Sequence, residues 1–259
     1  MRCAFRAAGY TTMSGHSKWA KVKHQKAAKD PKRGMAFSKI TNLITVASRE
    51  GGDINTNPRL RMAVEKAREL GMAKESVDKA IKRGSGEAVE GKVPAGQAGG
   101  LEEITCEAYG PGGAAILIQV ITSNKNRALA EIRHILSLSE AKMANEGSVK
   151  WMFNEKGRIT IPKDKWNDNL ALQAIERGAE EIKEKEEAEI FTSLGNLNNL
   201  KSFFEGILGS EGIKTEIEYV SKQSIKISDE ETKNKLNVLF EKLDEHQDVE
   251  EIYSNADMI

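Results

Sequence analysis

The chain has 259 residues, 39% of them hydrophobic and 30% charged, with a formal net charge of zero. That is length for one large domain or two to three small ones, and a composition too polar for membrane spans yet too apolar for disorder. With aromatics at 5%, several small cores are expected, and two distant cysteines, Cys3 and Cys106, exclude a disulfide framework and point to a reducing compartment.

Neutrality conceals a split. Residues 1–84 carry 19 of the 39 Lys and Arg but only 7 of the 39 Asp and Glu, an excess of twelve positive charges, and the remainder carries the opposite excess. A positive end that meets a polyanion and an acidic body that does not is the physical reading of such a split. Solvation of each part is the plainer alternative, but the lysines cluster instead of alternating with acids.

Residues 1–12, MRCAFRAAGYTT, hold Arg2 and Arg6 and no acid, the composition of an organelle presequence. A mitochondrial matrix location follows, or a cytoplasmic one if Met13 is the true start. Then comes GHSKWAKVKHQKAAKDPKRG, residues 15–34, with Lys18, Lys21, Lys23, Lys26, Lys29, Lys32 and Arg33 against the single acid Asp30. Its lysines fall on every side of any helix, so up to Lys29 it is expected to be loosely ordered until it meets a partner.

Asp30-Pro31 reads as a helix start, with Phe37, Ile40, Ile44 and Ala47 on one face until Gly51-Gly52. Asn57-Pro58 repeats the signal for a helix carrying Leu60, Val64, Ala67 and Leu70, closed by Gly71. A shorter helix carries Val77, Ala80 and Ile81 and is expected to end at Gly84. Residues 85–100, rich in glycine and alanine, read as a linker.

Beyond it the pattern alternates: EEITCEAY, the turn GPGG and AAILIQVIT make a hairpin feeding the helix RALAEIRHILSLSEA. A second hairpin is expected from SVKWMF with GRITIP, then a helix near NLALQAIERGA, the strand AEIFTS, a helix near LKSFFEGILG and the strand KTEIEYV. SIKIS, the helix DEETKNKLNVLFEKLDEH and the strand VEEIYS close the chain. The last strand–helix–strand can complete the first α+β unit, leaving residues 139–221 as an insertion.

Seven stretches, in order, carry a family resemblance: GHSKWAKVKHQKAAKDPKRG, REGGD, NPRLRMAVEKAREL, YGPGGAA, NKNRALAEIRHIL, GSVKWMF and YSNAD. Together, from Ser14 to about Asp257, the chain resembles the YebC family. The resemblance implies an α+β molecule of three domains: a basic helical one with its arm over residues 13–92, a ferredoxin-like one over 93–138 and 222–259, and another over 139–221 inserted in it. It also implies one of two roles. Bacterial members are described as DNA-binding transcriptional regulators, mitochondrial ones as translational activators of cytochrome c oxidase subunit I, with ribosome association. The presequence-like start favours translation. Departures fall at GKVPAGQAGG, longer than usual, at SLSEAKMANEGSV, less glycine-rich, and at VSKQSIKIS, which lacks a proline; they touch domain orientation more than role.

For the arm, neutralisation of phosphates by Lys18, Lys21, Lys23, Lys26, Lys29, Lys32 and Arg33 is the simplest chemistry, with counterion release making it salt-sensitive. Trp19 and His24 stand among the lysines and suit stacking on unpaired bases; for Trp19, stapling the arm to the helices is an equal alternative. Arg59, Arg61, Lys66, Arg68, Lys82 and Arg83 extend the basic surface, less those that pair with Glu65 or Glu69. A second phosphate contact is expected at Lys125, Asn126 and Arg127, where Asn126 or Ser123 starts a helix, with plain capping as the alternative. GPGG lacks the lysine of a P-loop and reads as a turn.

His16, His24, His134 and His246 show no metal-ligand spacing, and no nucleophile elbow is present. The expectation is a non-enzymatic protein without cofactor or metal. Its partner is the ribosome, or ribosomal or messenger RNA, with DNA as the alternative. Neither a membrane nor a small-molecule substrate is expected, and the state is monomeric.

Overall fold

The computed structural model describes residues 30–86 and 100–258. Three helices come first: α1 (Asp30–Ala47), α2 (Pro58–Glu69) and α3 (Lys74–Ser85). Ile40, Ile44 and Ala47 meet Leu60, Val64 and Ala67 and then Val77 and Ala80 in one small core. Each large aliphatic side chain so buried contributes about 1.5–3 kcal/mol. Asn57 joins the first two helices. Its Oδ1 accepts from the Leu60 N–H at 3.0 Å, while its Nδ2 donates to the carbonyls of Ala47 and Gly51, both at 2.8 Å.

The end of α3 differs from expectation. Gly84 lies inside the helix and Gly86, at φ +78°, terminates it. Gly84 is there for packing: a Cβ at this position would come within 1.9 Å of Ser48 Oγ and 2.0 Å of the Thr45 carbonyl oxygen. It is where α3 touches the end of α1.

The rest is α+β. Strands β1 (Glu102–Tyr109), β2 (Ala115–Thr122), β3 (Lys142–Met143) and β9 (Val249–Ser254) form an antiparallel sheet in the order β3-β1-β2-β9. Helices α4 (Lys125–Ser137) and α7 (Glu230–Asp244) bury Ile132, Leu136, Leu236, Leu239 and Phe240 against Ile116, Ile118 and Val120 of β2. Between these segments in sequence lies a second antiparallel sheet in the order β5-β6-β4-β7, from β4 (Phe153–Pro162), β5 (Glu181–Glu184), β6 (Glu187–Thr192) and β7 (Lys214–Ser221). With α5 (Asp168–Glu176) after β4 and α6 (Leu194–Leu208) after β6, this is the βαββαβ order of a ferredoxin-like unit, inserted in the first. The return is fastened by Asn255: its Oδ1 accepts from the Ala115 N–H at 2.8 Å, and its carbonyl accepts from the Ile225 N–H at 2.8 Å. Short strands β8 (Ile225–Ile227) and β10 (Ala256–Met258) pair in parallel beside it.

The hairpin expected from SVKWMF and GRITIP does not form. Residues 153–162 are one continuous strand, because Gly157 is not a turn but the floor beneath Leu197, whose Cδ1 would lie 2.5 Å from any Cβ added there.

Gly84→Ala tests the α1–α3 contact. In an ordinary helix interior this change stabilises by roughly 0.5–1 kcal/mol. Here overpacking, typically about 1–3 kcal/mol, outweighs it. The thermal midpoint of the variant should fall; a rise would show that the crossing is looser than described.

Candidate nucleic-acid interface

Lys18, Trp19, Lys21, Lys23, His24, Lys26 and Lys29 lie outside the described residues, as does the side chain of Lys32. Arg33 is exposed near the start of α1, its guanidinium 5.4 Å from the Phe37 ring centroid. Lys82 and Arg83 are exposed in the last turn of α3, where cations suit the helix dipole. The fold does not gather these three. Gly84 packs on Thr45 and Ser48, so Lys82 and Arg83 sit near the far end of α1 from Arg33, about 20 Å along the axis at 1.5 Å per residue.

Arg59 and Arg61, expected on the basic surface of α2, each have partners within the molecule. Arg59 Nη2 pairs with Glu103 of β1 at 2.5 Å. Arg61 donates from Nε to the Ile54 carbonyl at 3.1 Å and from Nη2 to that of Asn55 at 2.6 Å, holding the turn that precedes its own helix. Lys66 faces Glu251 of β9 at 2.7 Å and Glu250 at 3.9 Å. The acids of α2 are likewise engaged, Glu65 by Lys201 at 3.1 Å and Glu69 by Lys214 at 3.5 Å. From α1, Lys39 Nζ donates to the Asp244 carbonyl at 2.6 Å. The helices are therefore bolted to both sheets through charge.

The electrostatics of this junction are lopsided. Burial alone would lower the pKa of Lys66, but Glu251, Glu250 and Glu216 together hold it above the usual lysine range. Burial would raise Glu216, yet Arg158 and then Lys66 bring it below the usual carboxylate value. Arg158 in turn contacts Glu216, Glu189 at 3.4 Å and Glu218 at 3.4 Å.

At the second predicted phosphate contact the helix start is closed. The cap of α4 is Asn124, not Ser123 or Asn126: its extended backbone lets Oδ1 accept from the Arg127 N–H at 3.1 Å. Arg127 Nη2 pairs with Asp248 at 2.5 Å, while Lys125 and Asn126 remain exposed. GPGG is the connection between β1 and β2, with Gly112 and Gly113 at φ +69° and +76°.

The family model described as TACO1/YebC protein N-terminal domain matches residues 17–87, and that described as TACO1/YebC second and third domain matches residues 101–256. The chain belongs to the TACO1/YebC family. Similar relatives include proteins of Thermotoga petrophila, 43% identical over 95% of this chain and 94% of theirs, and of Persephonella marina, 42% identical over 95% and 96%. Both are named probable transcriptional regulatory protein, a regulatory and not an enzymatic description. A crystal structure of a conserved hypothetical protein from Aquifex aeolicus is similar at a TM-score of 0.76 and 34% identity, covering 94% of this chain and 98% of that one. Among the described residues, no helix is long and apolar enough to cross a membrane.

For this TACO1/YebC chain two features escaped the sequence. Glu107, in the middle of β1, is buried and accepts from the N–H groups of Gly147, Val149 and Lys150 at 2.6, 2.5 and 2.9 Å. Burial would raise its pKa, but those three donors bring it down. The sequence signal was slight: Glu107 stands between Cys106 and Ala108 in a strand that also carries Glu102 and Glu103. Glu131, His246 and Asp248 also bring ligand-type atoms within 4.8 Å of one another. They satisfy each other and their neighbours: His246 Nε2 lies 2.9 Å from Glu131, and Asp248 Oδ2 accepts from Arg127 and Thr122. No spacing rule connects positions so far apart.

The junction sets the pH response. Glu216, with its pKa depressed on folding, stabilises fully above the ordinary carboxylate value and loses that contribution as pH falls through its lower folded value. Lys66, raised, contributes fully below the ordinary lysine value and loses it only as pH rises through its folded one. The urea midpoint should therefore drop below about pH 4.5, and less steeply in Glu216→Gln; an equal slope would remove Glu216 from the junction. Lys66→Ala should cost about 2 kcal/mol at neutral pH, less than the roughly 3–5 of a fully buried pair, because 28% of the Lys66 side chain stays exposed.

Proposed function

We propose that this chain is a non-enzymatic regulator that acts by gripping nucleic acid through its lysine-rich amino-terminal segment. One observation carries the reading. The segment from Lys18 to Arg33 has seven cations against Asp30 alone, while in α2 Arg59 and Lys66 pair with acids of the body and Arg61 with carbonyls of its own turn, leaving Arg68 exposed. Charge left without such partners in its own stretch of sequence suits a polyanion.

DNA is the target that the relatives' name, probable transcriptional regulatory protein, supports. Translation is the second reading, favoured by Trp19 and His24 among the lysines, since aromatic and basic side chains together suit unpaired RNA bases. The mechanism is the same in both. Lysines displace condensed counterions from phosphates, while the two α+β units carry the compensating acidic excess of the chain.

Simultaneous replacement of Lys21, Lys23 and Lys26 by Glu is expected to weaken binding of a labelled duplex and of a labelled RNA by at least about tenfold near physiological salt. The body should melt as in the parent. Binding that survives the triple change would move the grip elsewhere. A duplex of one sequence held far more tightly than others would favour transcription; preference for RNA and cosedimentation with ribosomes would favour translation.

A further inference from the structure

Two stretches that the lysine grip leaves unused, YGPGG and GSVKWMF, meet in space. Tyr109 ends β1, and Trp151 lies in the short turn Lys150–Met152 before β4. Tyr109 Oη and Trp151 Nε1 both donate to the carbonyl oxygen of Ser148, each at 2.9 Å. The shared acceptor pins two ring edges to one point. The rings nevertheless stay in water, Trp151 61% and Tyr109 39% exposed.

A single exposed aromatic is ordinary. What sets this pair apart is the structure invested in holding it. The loop that supplies Ser148 is organised from below by the buried Glu107 carboxylate through its three backbone donors, and fully buried Val149 anchors it beside Phe153. Gly147, at φ +82°, makes the bend in a conformation that suits glycine. The rings are thus presented on a rigid base.

Three lysines lie near them in the strand register, by a hydrogen bond or along the chain. Lys142 is the β3 partner of Tyr109 in the register. Lys222 Nζ donates to the Trp151 carbonyl at 2.7 Å. Lys150 adjoins Trp151 in sequence, its Nζ 6.0 Å from the Tyr219 ring centroid. All three are exposed, against Glu146 as the exposed acid of the loop.

Edge-pinned rings flanked by lysines match a nucleobase and its phosphates: a base offers a π-face, and its backbone needs cations nearby. A duplex hides its base faces in the stack, so the ligand must be single-stranded. A protein partner fits less well, because lysine is depleted from protein–protein contacts. We propose that Tyr109 and Trp151 form a stacking platform for unpaired bases of single-stranded nucleic acid, with Lys142, Lys150 and Lys222 beside the flanking phosphates. The proposal rests on the nucleic-acid reading above and adds to it a second contact, on the α+β body, that selects unpaired strands.

The test uses the full chain with two probes, a fluorescein-labelled oligouridine and a fully paired duplex, read by anisotropy. Trp151→Ala should weaken oligouridine binding about tenfold, as expected for loss of base stacking, and leave duplex binding unchanged. Trp151→Phe should retain most of the affinity. Circular-dichroism melts matching the parent would show that the exposed side chain was not holding the fold. If Trp151→Ala leaves oligouridine binding intact while charge reversal at Lys21, Lys23 and Lys26 weakens it, the platform is wrong and the lysine grip stands. Equal loss on both probes also overturns the platform, since stacking cannot act on a closed duplex. If the parent binds neither probe, both proposals fall.

Discussion

Lys66, set among Glu251, Glu250 and Glu216, is the interaction on which the arrangement of the molecule depends. The sheets bring several carboxylates together at their junction, and Arg158 alone already serves Glu216, Glu189 and Glu218. Without a further cation the remaining acids would repel at close range, each contact worth up to about 4 kcal/mol in a partly screened site. Helix α2 supplies that cation and, through Glu65 and Glu69, accepts Lys201 and Lys214 in return. Charge complementarity fixes where the helices sit.

That constraint divides the positive excess of the amino-terminal part into two uses. Arg59, Arg61 and Lys66 work inward, on the body and on their own turn. The lysines before α1 have no comparable acids in their own stretch. A neutral chain can therefore carry a strongly basic segment without disturbing the acidic sheets. The platform at Tyr109 and Trp151 lies on the other kind of surface, where a buried acid, Glu107, acts through backbone N–H groups to shape a loop.

Local signals were legible where the interaction is local. Asn57-Pro58 and Asp229 start helices because their side chains reach N–H groups three residues on, which a sequence displays directly. Gly84 and Gly157 misled because each is a glycine for the sake of a distant neighbour, Thr45 in one case and Leu197 in the other. Strand β5 was hidden in the charge run EEIKEKEEAE, since an edge strand tolerates charges that a central strand would not. Site residues followed the same rule. Arg59 looked like a free cation because its partner Glu103 is far away in the chain. Asn124, lying between the two residues expected to cap α4, was decided by backbone geometry that composition does not encode. Tyr109 and Trp151 stood in recognised stretches, but only the fold shows their shared acceptor.

The division between inward and outward cations is tested most directly by the salt dependence of nucleic-acid binding. Each phosphate neutralised on a duplex contributes about 0.9 to the slope of log affinity against log salt. Lys21, Lys23 and Lys26 changed together to Gln should flatten that slope by up to about 2.7, while Arg59 and Arg61 changed to Gln should leave it as in the parent. A slope that flattens for the arginine pair and not for the lysines would contradict the account.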